Sequence, residues 1–304
     1  MSSISDTIDN EKNISVCIIH IGYRDYLKTN LEITGKNNKI YLLGDKSLKP
    51  LGNLQNVTFV DIDKYMNNDI ITNYKKHFVN YSSNNSNLEW LCFSRVFILK
   101  FFFQDYNIHN IFHMDSDNIL LKDINEYKFE KKIAYCIPGN SHEYRMSNSI
   151  HCGLLNMEFC NKFEELYNDI YINKTKFNLI KNKIKYHTDK SGNFKVGGGG
   201  ICDMTVYYLL NKEKLIDVDN LLIAKNINDV FTVFINNVNN EEGSESKKQY
   251  MKDNNLNIMK IINYNNNTQI YDIINKKYYN LFNIHFQGGS KRFLNDNLKK
   301  SIHY

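Results

Sequence analysis

Apolar residues in the first half of the chain fall into short continuous runs, each closed by glycine or a carboxylate. Ile14 to Ile21 is rich in β-branched residues and ends at Gly22, which predicts a buried parallel strand with a loop at its C-terminal end. Lys39 to Leu43, closed by Gly44-Asp45, and Val57 to Ile62 predict two more strands, with spacers that suit βαβ units. From Asn87 to Tyr106 the pattern is helical, with Leu91, Val96, Leu99, Phe102 and Phe103 near helical spacing. Ile108 to Met114 is then a short strand that runs directly into Asp115-Ser116-Asp117, and Ile119 to Ile124 and Lys132 to Ile137 read as further strands.

The second half is more polar. Ser149 to Met157 predicts a strand and Glu158 to Tyr171 a helix, while the glycine run Gly197 to Gly200 opens a helix over Asp203 to Asn211. Val230 to Ile235 and Leu256 to Asn263 read as strands, and Asn236 to Asn255 between them as a mobile surface loop. With no internal repeat, one continuous sheet in a single α/β domain over 14–304 is the simplest account, preceded by a flexible polar segment 1–13.

A chain of 304 residues with 42% hydrophobic, 13% aromatic and 23% charged residues has the profile of a globular protein with a core. The net charge of +5 is spread along the chain with no basic stripe, which argues against a nucleic-acid binder and suits an anionic small substrate. Asn is abundant and reads as compositional bias, so no weight is placed on individual asparagines. The cysteines, Cys17, Cys92, Cys136, Cys152, Cys160 and Cys202, form no CxxC pair and read as buried thiols in a reducing compartment. The N-terminus lacks the apolar core of a signal peptide, and the longest apolar run, Val96 to Phe103, is interrupted by Lys100 and is too short to span a bilayer. A cytoplasmic protein without a transmembrane segment is expected.

Two motifs carry chemistry. Asp115 and Asp117 end a buried strand, where open α/β sheets bind ligands, and offer the hard oxygen atoms that a divalent cation and a diphosphate together require. The second is His285-Phe286-Gln287-Gly288-Gly289-Ser290-Lys291. A histidine can join carboxylates around Mn²⁺, glycines let backbone approach a phosphate, and Lys291 can neutralise a leaving diphosphate.

Together the motifs resemble the GT-A nucleotide-sugar transferases, and more narrowly glycosyltransferase family 8, with its Asp-x-Asp and late His-x-x-Gly-x-x-Lys. The resemblance spans Ile14 to Lys291. It implies a GT-A type Rossmann-like α/β fold with a mixed, mostly parallel sheet flanked by helices, residues 14–125 forming a nucleotide-binding half and 126–304 an acceptor-binding half. It implies Mn²⁺ (or Mg²⁺) on Asp115, Asp117 and His285, and Gly288 and Lys291 on the diphosphate, with Ser116 beside it. Arg95 is expected near the nucleotide or diphosphate, because an arginine among apolar helix neighbours needs an anionic partner. Tyr23, after the first strand, is expected to stack on the base. Ile150 to Asn156 resembles the family's strand ending in Asn, which makes His151 and Asn156 candidates for sugar or acceptor contacts. Asp203 resembles the acid near the reacting sugar, though an N-cap role fits it equally. Arg292-Phe293 stands where the family has Pro-Trp.

The expected activity is transfer of a hexose from a nucleotide-diphosphate sugar, UDP foremost, to a glycan, glycoprotein or lipid acceptor, with retention. The alternatives are a non-catalytic carbohydrate-binding or scaffold protein of the same fold, and a sugar nucleotidyltransferase, which would carry a glycine-rich basic loop where this chain has Gly22-Tyr23-Arg24-Asp25.

Overall fold

Strands buried on both faces are continuously apolar, and the first-half runs pair in this way. The computed structural model describes residues 13–139, 142–196, 199–227, 230–238, 250–253, 258–264 and 267–294. The expected flexible segment, Asn13 apart, and most of the polar loop 236–255 lie outside the described residues.

Seven strands form the main sheet: β1 (Ser15–His20), β2 (Ile40–Gly44), β3 (Val57–Asp61), β4 (Asn110–Met114), β6 (Ala134–Cys136), β7 (Ser149–Asn156) and β8 (Asp219–Asn220), in the order β3-β2-β1-β4-β7-β6-β8. The β1–β2, β2–β3, β1–β4 and β6–β8 pairings are parallel, and β7 runs antiparallel to both β4 and β6. The fold is therefore α/β with a mixed, largely parallel sheet flanked by helices.

Along β1 the side chains alternate between two cores. Val16 and Ile18 pack with Leu27 and Leu31 of α1 (Asp25–Thr34). Cys17 and Ile19 face the other side, where the short helices α2 (Asp63–Met66) and α3 (Asp69–His77) adjoin α4 (Ser86–Tyr106), α5 (Met157–Tyr167), α6 (Asn178–His187) and α7 (Asp203–Lys212). The central α4 is capped by Asn85, whose side chain accepts from the Asn87 and Leu88 amides, and stops at Asn107 in the left-handed conformation. Its buried Trp90, Phe93, Val96, Phe97, Ile98 and Phe102 point in many directions, as expected of a helix inside a protein.

The later strands depart from the expectation of one sheet. The segment expected as a strand over Ile119 to Ile124 is extended only through β5 (Asn118–Leu120) and then turns at Ile124–Glu126. β5 leaves the main sheet to pair with β16 (Asn283–His285). β9 (Lys225–Ile227), β10 (Val230–Val233), β13 (Ile261–Tyr264), β14 (Asn267–Asp272) and β15 (Lys277–Leu281) build a second sheet around their own core, which includes Val233, Ile270 and Leu281. The expected strand over Leu256 to Asn263 is split between β12 (Ile258–Met259), which pairs with β11 (Lys252–Asp253), and β13. The expected helix over Glu158 to Tyr171 ends as α5 and continues as a π-helical turn, Asn168–Ile172.

The described end of the glycine run is a clamp. Gly200 bridges to Ser82, the Ile201 amide donates to the Tyr81 carbonyl at 2.7 Å, and the Ser83 amide to the Gly199 carbonyl at 3.1 Å. At Gly200, φ is +142° and a Cβ would lie 2.3 Å from the Tyr81 carbonyl oxygen. Gly200→Ala is therefore expected to cost about 2–3 kcal/mol in urea unfolding. Gly192→Ala, with φ of +85° but nothing within 4 Å, is expected to cost about 1 kcal/mol.

Candidate metal and diphosphate site

The connections on either side of the β1–β4 pair lie on opposite faces of the sheet, α1 on one and α4 on the other, so a crevice opens at the C-terminal ends of these two strands. Asp115-Ser116-Asp117 turns within it. The Asn118 amide donates to the Asp115 carbonyl at 3.0 Å, and the Asp115 amide to the His151 carbonyl at 2.8 Å. Buried asparagines fix this turn from three sides. Asn30 of α1 donates through Nδ2 to the Ser116 and Asn118 carbonyls, both at 2.8 Å. Asn118 Nδ2 donates to the His151 carbonyl at 2.9 Å, and Asn283 Nδ2 donates to Asn118 Oδ1 at 2.8 Å.

The antiparallel β5–β16 register sets His285 opposite Asn118 and so beside Asp117. Nδ1 of His285 is hydrogen-bonded to the Asn236 carbonyl, so that nitrogen carries the proton, and Nε2 faces Asp117 Oδ1 at 3.4 Å. The ligating atoms of Asp115, Asp117 and His285 all lie within 4.8 Å of one another. With Nδ1 so engaged, Nε2 is the nitrogen left to meet Asp117 or a cation held between the two. Two carboxylates with one imidazole form a donor set that suits Mn²⁺, so the residues present fit such an ion.

Fixed cations already meet these carboxylates. Arg95 of α4 pairs through Nη1 with Asp115 and through Nη2 with Asp203 at 2.8 Å. Lys291 reaches Asp117 Oδ2 at 3.0 Å, with its ammonium 5.5 Å from the Tyr26 ring centre. Burial works against ionisation of Asp115, but the Arg95 guanidinium and the surrounding histidines hold its carboxyl well below the usual range. Asp117 is lowered as well: burial opposes this, and His285 and Lys291 outweigh it. Burial likewise opposes the charge on Lys291, and Asp117 raises its pKa.

Asp203, the first residue of α7, is buried and not its cap, a position held by Cys202. Besides Arg95, its Oδ2 accepts from the Tyr207 hydroxyl at 3.1 Å, and its Oδ1 accepts from the Met204 amide at 2.9 Å. The anionic partners expected for Arg95 are thus two protein carboxylates. Gly288 adopts φ of +62°, and Cβ atoms built on Gly288 and Gly289 meet nothing within 4 Å, so the turn Gly288–Leu294 presents open backbone next to Lys291. Tyr23 is exposed on the loop after β1, where Gly22 donates its amide to Asp45.

Two expected contacts fall elsewhere. Asn156 pairs with Asn110 at the opposite end of β4 from Asp115, and its side chain caps α5 by accepting from the Phe159 amide at 3.0 Å. It is a helix cap, not a site residue. His151 is buried, with its ring stacked on that of His285 at 4.3 Å between centroids and 9° between planes, so it backs the site from behind His285 and is not placed for the expected sugar or acceptor contact.

Sequence reasoning missed Asn30, Asn118 and Asn283, because asparagine was set aside as bias; Asn118, directly after the acidic pair and before an apolar run, was the available signal. His20, at the end of β1, was also missed. Its Nε2 is buried without a partner, and its pKa is lowered by burial and then by Lys291 and Arg24. Glu89 is buried on α4, accepts from Ser82 at 3.1 Å and Asn84 at 2.6 Å, and leaves Oε2 unpartnered; burial raises its pKa.

No family profile and no curated protein sequence matches the chain. Among solved structures, the apo form of mouse xyloside xylosyltransferase 1 is similar at a TM-score of 0.46 and 13% identity, over 69% of this chain and 85% of that one. The PaToxG glycosyltransferase is similar at 0.41 and 14%, over 66% and 69%. An active-site mutant of LgtC is similar at 0.37 and 11%, over 52% and 64%. At this level the functional argument rests on the side chains of the site.

Carboxyls held below their ordinary range contribute stability that is complete above about pH 4 and is lost as pH falls through their folded values. Asp115→Asn is thus expected to be less stable than the parent near neutrality, with the gap narrowing as urea unfolding is repeated from about pH 6 to about pH 3. A gap independent of pH would count against the Arg95–Asp115 pair.

Proposed function

We propose that the protein is a metal-dependent glycosyltransferase that moves a sugar, of hexose type, from a nucleotide-diphosphate donor, UDP foremost, to an acceptor hydroxyl on a glycan, glycoprotein or lipid, with retention. The observation that carries this reading is the convergence of Asp115, Asp117 and Nε2 of His285, beside Lys291 and an open glycine turn. Asp115, Asp117 and His285 would hold the cation. When bound there, a divalent ion such as Mn²⁺ or Mg²⁺ supplies charge neutralisation for a diphosphate.

The chain's own residues do the rest. Lys291, half exposed and next to the open Gly288–Gly289 backbone, is placed to meet the leaving diphosphate, where negative charge develops. The buried turn carrying Ser116 lies beneath the diphosphate, and Tyr23 offers an exposed ring for the base. Arg95 fixes the relative positions of Asp115 and Asp203. In the reaction the bond from the anomeric carbon to the diphosphate oxygen breaks and a bond to the acceptor oxygen forms. A base that inverts configuration needs free lone pairs, whereas Asp203 is committed to Arg95, Tyr207 and the Met204 amide. The acceptor proton then goes to the departing diphosphate oxygen, with attack on the face that it leaves, which favours retention. Asp203 stabilises positive charge near the sugar. Among the described residues no helix is long and apolar enough to cross a membrane, and no two cysteines are joined in a disulfide, in keeping with work in the cytoplasm.

Isothermal calorimetry with UDP and GDP tests the reading. Binding of one of them is expected only with Mn²⁺ and is lost in Asp117→Ala. Absence of binding to either by the folded protein would sink the reading in favour of a scaffold of this fold. With the donor so identified, Lys291→Ala is expected to slow donor hydrolysis by about 10²- to 10³-fold, with little change in KM.

A further inference from the structure

A second cluster lies behind the site and shares no ligand with it. Cys136 of β6 and His151 and Cys152 of β7 are all buried, and their ligating atoms lie within 4.8 Å of one another. Neighbouring residues on a regular strand point to opposite faces, so His151 and Cys152 should not reach one partner. β7 is irregular here: Tyr135 pairs with Gly153, but the next β6 residue, Cys136, pairs with Ser149. The surplus residues 150–152 bulge, and the bulge turns both side chains toward Cys136.

The separations are those of a tetrahedral ion. Zinc binds sulfur at about 2.3 Å and nitrogen or oxygen at about 2.0 Å, which sets sulfur–sulfur edges near about 3.8 Å, sulfur–nitrogen edges near about 3.5 Å and nitrogen–oxygen edges near about 3.3 Å. The Cys136 and Cys152 sulfurs are 3.5 Å apart, Cys136 Sγ is 3.5 Å from His151 Nε2, and that nitrogen is 3.3 Å from the Ile235 carbonyl oxygen. His151 Nδ1 lies 3.0 Å from Ser149 Oγ, the support that a ligating imidazole receives through its other nitrogen. Two thiolates and a neutral imidazole around a divalent ion sum to no net charge, which a fully buried position requires.

We propose that Cys136, Cys152 and His151 Nε2, completed by the Ile235 carbonyl oxygen, bind a structural zinc ion. The ion ties β6 and β7 to the segment whose next residue, Asn236, accepts the His285 proton, and it fixes the ring on which His285 stacks. His151 is then a positioning residue for His285. Imidazole and thiolate ligands set this site apart from its carboxylate-rich neighbour, so the two predict different metals and respond to different substitutions.

The test is the metal content of the full chain purified from zinc-supplemented cells. Equimolar zinc is expected, retained in Asp117→Ala and lost in Cys136→Ser and Cys152→Ser. Replacement by cobalt should give a thiolate-to-metal charge-transfer band in the near ultraviolet. Should the cysteine variants fail to fold, zinc-edge X-ray absorption of the unaltered protein decides, because sulfur neighbours are expected. Absence of zinc, zinc lost with Asp117, only nitrogen and oxygen around the ion, or a Cys136–Cys152 disulfide would each overturn the proposal.

Discussion

Two carboxylates one residue apart, at the end of a strand buried on both faces, repel each other and lose hydration together. Left alone, the turn at Asp115 and Asp117 would be among the costliest features of the chain. Much of the architecture answers that cost. α4 is buried on most sides yet carries Arg95, whose guanidinium binds Asp115 on one side and Asp203 on the other. α7 begins where its first residue can accept the second arm of that fork. The chain returns from the second sheet as β16, pairs with β5, and so delivers His285 and Lys291 to Asp117. Removal of one partner from such a network leaves a buried charge unanswered, so its members act as a unit.

Charge alone would not keep the turn in one conformation. Salt bridges at a half-open crevice tolerate shifts, whereas amide hydrogen bonds have narrow geometry. Asn30, Asn118 and Asn283 bond the backbone of the turn, the β7 carbonyl of His151 and one another, so α1, β5, β7 and β16 meet at one point. Asparagine suits this position because it offers donors and an acceptor without adding charge to a place that already has too much.

The elements legible in the sequence are those whose local pattern and tertiary setting agree. β1, β2 and β4 are buried on both faces, so their continuous apolar runs announce them, and β3, at the sheet edge with Thr58 exposed, is announced by Val57, Phe59 and Val60. α4 fills a space between sheet and helices, so its apolar residues recur with helical spacing. Asp115, Asp117, His285, Lys291 and Arg95 were legible as ligand-type residues, and the fold brings them together. What escaped depends on pairing between distant segments. β5 was legible only as part of a longer strand over Ile119 to Ile124 and β16 was not legible at all, yet their register decides where His285 stands. In the second sheet β10 and part of β13 were legible, whereas β9, β14 and β15 are largely polar and carry no long apolar run. Asn156 sits in a motif of the right type, but antiparallel pairing carries it to the far end of β4, where it caps α5. His151 and Cys152 were read as a strand, and the bulge that turns both toward Cys136 has no mark in the sequence.

The balance of charge also bears on the proposed metal dependence. In direct contact at the site, Asp115, Asp117 and Asp203 face Arg95 and Lys291, while the Nδ1 hydrogen bond to the Asn236 carbonyl turns Nε2 of His285 toward Asp117. Fixed carboxylates therefore outnumber fixed cations by one. A diphosphate approaching this cluster meets net negative charge across short distances in a poorly hydrated crevice, where repulsion is strong. Lys291 cannot serve the diphosphate fully while Asp117 holds it at 3.0 Å. A divalent ion held by Asp115, Asp117 and His285 would reverse the sign of the cluster and free Lys291 from Asp117. The same residues that would repel a diphosphate without the cation would attract one with it, so in the proposed reaction affinity for the donor would follow the cation through the arrangement of the charges themselves.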